Sequence, residues 1–200
     1  FVHGTRGGCL LKNGALQCWG PPGYTNIQGA LPFAAGANAR VVIASGVTDV
    51  ASRGKYGICA VVNGTVRCWG NADGVNGLQD LDAVILPSTD NVQVSLGYFT
   101  FCATTTTNDV RCHITIAGTP GNRVIRNWPL VEVLATDWLY SICGLKAGGI
   151  IECLPSGFNP PNPVPTVKLT GVTQAESSAY YNLGVEHTCG LVGRDLKCFG

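Results

Sequence analysis

Three observations predict an all-β chain built from five copies of one unit. Ten cysteines fall into five pairs spaced nine or ten residues apart: Cys9 with Cys18, Cys59 with Cys68, Cys102 with Cys112, Cys143 with Cys153, and Cys189 with Cys198. Turn-forming residues sit midway within each pair. Short β-branched runs separate the pairs, and almost nothing has the 3.6-residue period of a helix. Repetition of this kind constrains an architecture more than any single residue does.

Each pair brackets a predicted β-hairpin. Asn13-Gly14 lies midway between Cys9 and Cys18, and Asn63-Gly64 midway between Cys59 and Cys68. Asn-Gly is the strongest short hairpin signal, because a type I′ turn needs positive φ at both central residues. Gly193-Arg194 occupies the same place in the fifth copy and suits a type II′ turn with glycine first. The third and fourth copies are one residue longer, centred on Thr107 and Gly148, as three-residue loops require.

Ladder geometry turns this into chemistry. Residues flanking a two-residue turn form a hydrogen-bonded pair and sites alternate outward, so the cysteines fall at a non-hydrogen-bonded site. Cα atoms there lie about 4.5 Å apart, within disulfide reach. One disulfide per hairpin is the expectation. Zinc would draw on closer cysteine knuckles or on mixed cysteine and histidine sets, and neither spacing occurs. Five disulfides imply an oxidising compartment, so the chain is expected to be secreted or extracellular.

Composition agrees. At 46% hydrophobic and 12% charged, 200 residues can bury a sizeable core. The expected organisation is one domain over 1–200, with repeats at about 1–43, 44–88, 89–129, 130–166 and 167–200. No apolar run approaches a membrane span of about 18 residues. A start at Phe1, with no charged leader and no methionine anywhere, fits a mature exported chain. A net charge of +1 without a basic run leaves nucleic acid nothing to release counterions against.

Alternation within the hairpins puts Cys9, Leu11, Leu16 and Cys18 on one face, matched by Cys59, Val61, Val66 and Cys68 in the second copy. That face is apolar in every copy and must be covered. On the other face, small residues oppose long charged ones: Ala60 across from Arg67, Ala103 from Arg111, Gly144 from Glu152, Gly190 from Lys197. Such pairs let an aliphatic stem lie flat while its head reaches water. Further strands are predicted at 40–43, 47–52, 92–96, 131–134 and 167–169. Three or four short strands per 40–50 residues point to blades, and a five-bladed β-propeller is the leading arrangement. An open solenoid or a sandwich is the alternative.

Two stretches, Gly46-Val47-Thr48-Asp49-Val50-Ala51-Ser52 and Cys59-Ala60-Val61-Val62-Asn63-Gly64-Thr65-Val66-Arg67-Cys68-Trp69-Gly70, resemble the repeats of the regulator of chromosome condensation (RCC1-like) family. His187-Thr188-Cys189-Gly190-Leu191 does so as well. The closer likeness is to its extracellular, cysteine-containing members. Trp-Gly is lost after Cys112 and Cys153, and Trp138 replaces the glycine found five residues before the first cysteine at Gly4, Gly54, Gly97 and Gly184. The resemblance implies a propeller whose innermost strand precedes each hairpin. Secreted inhibitors and receptor ectodomains are among such propellers, whereas the exchange activity of the nuclear member does not carry over to a disulfide-bonded chain.

Nothing in the sequence marks an enzyme. His3, His113 and His187 lie in no nucleophile elbow or metal motif, and all ten cysteines are expected to be paired. No cofactor or metal is implied. Recognition through loops on one face of the ring is the expected function, with an extracellular protein as the partner. A lectin with several shallow glycan sites is the alternative, although the aromatic residues do not recur at one loop position. Tyr24, Phe33, Trp128, Trp138, Phe158, Tyr180 and Tyr181 are the candidate contact residues, because exposed aromatic rings give large contact area at little entropic cost. Packing within or between repeats is the competing role for them. Trp19 and Trp69 share one repeat position and read as packing residues. Asn63-Gly64-Thr65 is a glycosylation sequon set in a tight turn, making Asn63 a possible modification site.

Overall fold

The computed structural model describes residues 2–4, 7–19, 41–53, 57–70, 81–97, 100–116, 119–125, 127–135, 142–154, 164–180 and 185–200. Every element among them is a strand or a turn, grouped in five small sheets, one per repeat. The first sheet holds β1 (Val2–Gly4), β2 (Gly7–Lys12), β3 (Ala15–Trp19) and β4 (Val41–Ser45). The second holds β5 (Val47–Arg53), β6 (Gly57–Val62), β7 (Thr65–Gly70) and β8 (Leu81–Leu86). The third holds β9 (Asn91–Leu96), β10 (Thr100–Thr105), β11 (Val110–Ile116) and β12 (Thr119–Ile125). The fourth holds β13 (Leu130–Ala135), β14 (Ile142–Lys146), β15 (Ile150–Cys153) and β16 (Thr166–Leu169). In the fifth, β17 (Val172–Tyr180), β18 (Val185–Val192) and β19 (Asp195–Phe199) follow in order. The chain divides into two compact units, Phe1–Val94 and Ser95–Gly200.

All five hairpins form in the predicted register. Cys9 faces Cys18, Cys59 faces Cys68, Cys102 faces Cys112, Cys143 faces Cys153 and Cys189 faces Cys198. Each pair is a disulfide, with Cα atoms 4.0 or 4.1 Å apart. Positive φ at Asn13, Gly14, Asn63 and Gly64 is the type I′ geometry, and in the fifth turn only Gly193 is left-handed, as type II′ requires. Thr105 closes the longer third loop: its hydroxyl accepts the Asp109 N–H at 3.0 Å and donates to the Asp109 carbonyl.

Repeat boundaries shift at one place. Residues 166–169 do not lead the fifth hairpin; they are the outer strand of the fourth sheet, paired with β15. The strand before the fifth hairpin is β17. Its polar sequence, Gln174-Ala175-Glu176-Ser177-Ser178, hides a strand because Ala175 is the one apolar residue it buries and ladder pairing with β18 holds the rest. Two recurring bulges also have no signal in composition. Thr48, Val131 and Thr173 are the extra residues in first strands, and Ile43, Ile85 and Lys168 those in outer strands.

The core is assembled repeat on repeat. Cys9, Leu16 and Cys18 of the first repeat pack with Val47, Ile58, Ala60 and Trp69 of the second. Cys102, Val110 and Cys112 of the third meet Val133, Ile142 and Leu154 of the fourth. Cys143, Leu145, Ile151 and Cys153 of the fourth meet Val172 and Ala175 of the fifth, with Phe199 at the margin. Each of these disulfide faces is therefore roofed by the next repeat's first strand and by the residue after its second cysteine. Small residues opposite charged ones serve this packing rather than the lying stem: a Cβ on Gly144 would collide with Leu130, and one on Gly190 would press on Val172 and Ile151.

The expectation that every such face is covered fails once. Leu196 is 71% exposed, whereas Leu16, Val66, Val110 and Ile151 at the same repeat position are fully buried. No later repeat roofs it among the described residues. Truncation at this position should therefore cost differently along the chain. Leu16→Ala and Ile151→Ala are expected to lose about 2–5 kcal/mol each, and Leu196→Ala less than about 1 kcal/mol, in guanidinium unfolding without reductant.

Candidate recognition surface

The hairpin-tip end of each repeat is the best-described surface, and one joint builds it repeatedly. Carbonyls of the turn residues lie outside their own hairpin ladder and need partners. Gly14 O accepts the N–H of Val47, Gly64 O that of Asn91, and Gly149 O that of Val172, at 2.9, 3.0 and 2.9 Å. Each is the N–H of the first residue in the next repeat's first strand. The approach is close enough that a Cβ on Gly64 would collide with the Thr89 carbonyl. Asn91 reinforces its joint, its side-chain amide donating to Gly64 O at 2.7 Å and Ser88 O at 2.6 Å. In the third repeat Asp109 substitutes a carboxylate, Oδ1 accepting the Asn127 N–H at 3.1 Å.

Immediately after each joint the chain bulges outward. Thr48, Val131 and Thr173 are the bulged residues, and Val92 is their counterpart in β9. All four are β-branched and all four are exposed; Val92 is 47% exposed and Val131 60%. Beside them lie exposed turn residues: Lys12 and Asn13, Asn63, Thr106 to Asn108, Ala147 and Gly148, and Arg194. The next residue is an acid or amide in each case, half-buried at Asp49, Gln93 and Glu132 and exposed at Gln174. Asp49 Oδ2 accepts the N–H of Val94 at 2.8 Å, linking two first strands. Its burial raises the carboxyl above its ordinary value, against the lowering effect of N–H donors from Val94 and Val50.

Of the aromatic candidates, Trp128 is corrected. It is 3% exposed, packs in the core between the third and fourth repeats, and donates its indole N–H to Glu152 Oε2 at 3.0 Å. Lys146 Nζ holds the other carboxylate oxygen at 3.2 Å. The buried ring is a packing residue because it fills the roof over Cys102, Val110 and Cys112. Tyr180 is not in a loop; it ends β17 opposite Val185. Tyr24, Phe33, Trp138, Phe158 and Tyr181 lie outside the described residues, as does the side chain of Tyr180. Trp69 is a packing residue, buried and carrying the Arg67 guanidinium 5.5 Å from its ring. Asn63 holds the turn itself: its N–H donates to Gly46 O at 2.9 Å, and Thr65 Oγ1 donates to Val62 O. Sequence reasoning missed the exposed β-branched position at Thr48, Val92, Val131 and Thr173, because an extra residue in a strand leaves no mark on its composition.

Comparison with solved structures places this architecture. Human WBSCR16 superposes with a TM-score of 0.60 over 87% of this chain and 54% of its own, at 13% identity. Prp20p of Saccharomyces cerevisiae, described with its binding properties to Gsp1p and histones, gives 0.57 over 93% and 56%, at 15% identity. The same yeast RCC1 (Prp20), bound to Kap60, gives 0.56. The fold is RCC1-like. This chain spans little more than half the length of those proteins. No family model matches the sequence, and no curated protein matches it.

In this RCC1-like frame the Asp49 carboxyl is a measurable probe of the joint between first strands. Its raised value means the ionised form is disfavoured in the folded state, a penalty absent at low pH and developed as pH climbs past the ordinary 3.8. Asp49→Asn keeps an oxygen acceptor for Val94. Its stability relative to the parent chain, followed by urea unfolding, is expected to rise with increasing pH across that range.

Proposed function

We propose that this chain is a secreted, non-catalytic recognition propeller that holds a protein partner against the hairpin-tip loops on one face of its repeats. The observation that carries this reading is the recurrence of an exposed β-branched residue at Thr48, Val92, Val131 and Thr173, each next to exposed turn residues. Rigid positions are what recognition needs, since ordering a mobile loop at the moment of binding costs affinity. Here the bulges sit on strands laddered onto disulfide-bridged hairpins, and those of Thr48, Val92 and Thr173 are tied to the preceding turn by a backbone hydrogen bond. β-branched side chains have little rotamer freedom left to lose.

Five internal disulfides support an oxidising, extracellular setting for such a partner. The absence of a catalytic role rests on the sequence, where no nucleophile, paired acid and base, or metal motif occurs. A glycan partner would stack on exposed aromatic rings. The protein reading is preferred because the exposed positions that recur are β-branched rather than aromatic.

A bait experiment tests it. The chain, fixed to a resin, is exposed to its native extracellular fluid, and retained proteins are identified. Thr48→Arg with Val92→Arg, both in the unit Phe1–Val94, is expected to weaken retention at least about tenfold, the scale of losing one well-buried apolar contact. Val167→Arg, an exposed change on the outer strand β16, is expected to leave it intact. Equal loss in both variants, or a glycan array that binds while no protein is retained, would reject the proposal.

A further inference from the structure

We propose that Asn63 is a site of N-linked glycosylation, and that the glycan covers Thr48 and Val92, so that the chain takes its partner only when Asn63 is unmodified. Asn63-Gly64-Thr65 is the one sequon in the 200 residues. Its middle residue is the left-handed glycine that the turn needs, not the proline that blocks transfer. The five disulfides fit the oxidising compartment in which such transfer takes place.

The turn presents the acceptor. Asn63 is exposed at the tip of the hairpin formed by β6 and β7, with φ of 49°, and holds the turn through its backbone N–H on Gly46 O at 2.9 Å. Its side-chain carbonyl lies over Gly46, where an added Cβ would collide with Asn63 Oδ1. The amide nitrogen Nδ2 holds no hydrogen bond among the described residues, so its substitution breaks none. Transfer joins Nδ2 to C1 of the first sugar of a polyprenyl-diphosphate oligosaccharide, catalysed by an oligosaccharyl transferase. The C1–O bond breaks, and the diphosphate leaves with its electron pair and takes up the proton lost from the amide. In the closed hairpin Thr65 Oγ1 is committed to Val62 O at 2.8 Å. The transferase must bind that hydroxyl, so transfer precedes the closing of Cys59 onto Cys68.

Position decides the consequence. The carbonyl that takes the Asn63 N–H belongs to Gly46, two residues before Thr48, a span of at most about 7 Å of chain. On the other side Gly64 O accepts the N–H of Asn91, the residue before Val92. Asn63 thus sits between two exposed β-branched positions, all within the unit Phe1–Val94. A glycan is bulky and solvated. Rooted on this turn, it occupies the space that a partner seated on Thr48 and Val92 needs. This consequence rests on the recognition reading above, whereas the modification itself does not.

Secretion from cultured animal cells followed by intact-mass measurement tests the modification. The parent chain is expected to carry a glycan mass that peptide N-glycosidase removes. That mass should be lost in Asn63→Asp, which keeps a turn sequence suited to type I′, and in Thr65→Val, which leaves Asn63 in place. A purified transferase with its lipid-linked donor should modify the reduced, alkylated chain and not the oxidised one. A parent chain secreted without a glycan would overturn the site, and an oxidised chain that accepts one would overturn the order of events. Hydroxyl-radical labelling reads the cover: Val92 should be labelled less in the glycosylated chain than in the enzyme-treated one. Retention of a protein partner from extracellular fluid should be at least about tenfold weaker in the glycosylated form, the scale of one lost apolar contact. Equal labelling of Val92 in the two forms, or equal retention of a partner by both, would overturn the covering role. If labelling differs while neither form retains a protein, the recognition reading fails and the glycan site stands.

Discussion

Burial of one hairpin's disulfide face under the next repeat is the contact on which the rest of the structure depends. A single repeat has a two-sided sheet and cannot hide either side alone. Cys9, Leu16 and Cys18 are sealed only because Val47 and Trp69 arrive from the following repeat, and Cys143, Ile151 and Cys153 only because Val172 does. Secondary structure, disulfide placement and the small residues at Gly144 and Gly190 all serve this stacking. The disulfides and the core are one layer: the bridges occupy the centre of the buried face and replace what a larger side chain would fill.

The same stacking sets the surface. To lay its first strand over the preceding face, each following repeat must start at the preceding hairpin tip, and the turn carbonyl is the nearest acceptor for its first N–H. The strand then has one residue too many for its ladder and throws it outward, which is why Thr48, Val131 and Thr173 stand exposed beside the turns. Candidate recognition positions are thus a by-product of how repeats join, held by rigid backbone on both sides. The likeness to human WBSCR16 and yeast Prp20 lies at this level of architecture, with sequence identities of 13% and 15%.

The hairpins were legible because their information is local. Asn13-Gly14 and Asn63-Gly64 specify turn type by backbone conformation alone, and turn type specifies the register that puts cysteines face to face. The recognition surface was only partly legible. Trp128 reads as a contact residue because it is a large aromatic ring outside the hairpins; it is buried because it fills the third junction, where its indole also bonds Glu152. The strand β17 was hidden because its polar face is held by backbone pairing, which leaves no mark on hydrophobic alternation.

The amino-acid sequence by itself determined the five-unit repetition, the hairpin registers and the pairing of all ten cysteines, since each follows from contacts fewer than a dozen residues apart. Only the tertiary structure decided which face each repeat covers, where the bulges fall, that Trp128 is interior and that Leu196 is not. Those outcomes depend on neighbours some thirty or more residues away, whose approach is governed by fit between surfaces and has no counterpart in the spacing of residues along the chain.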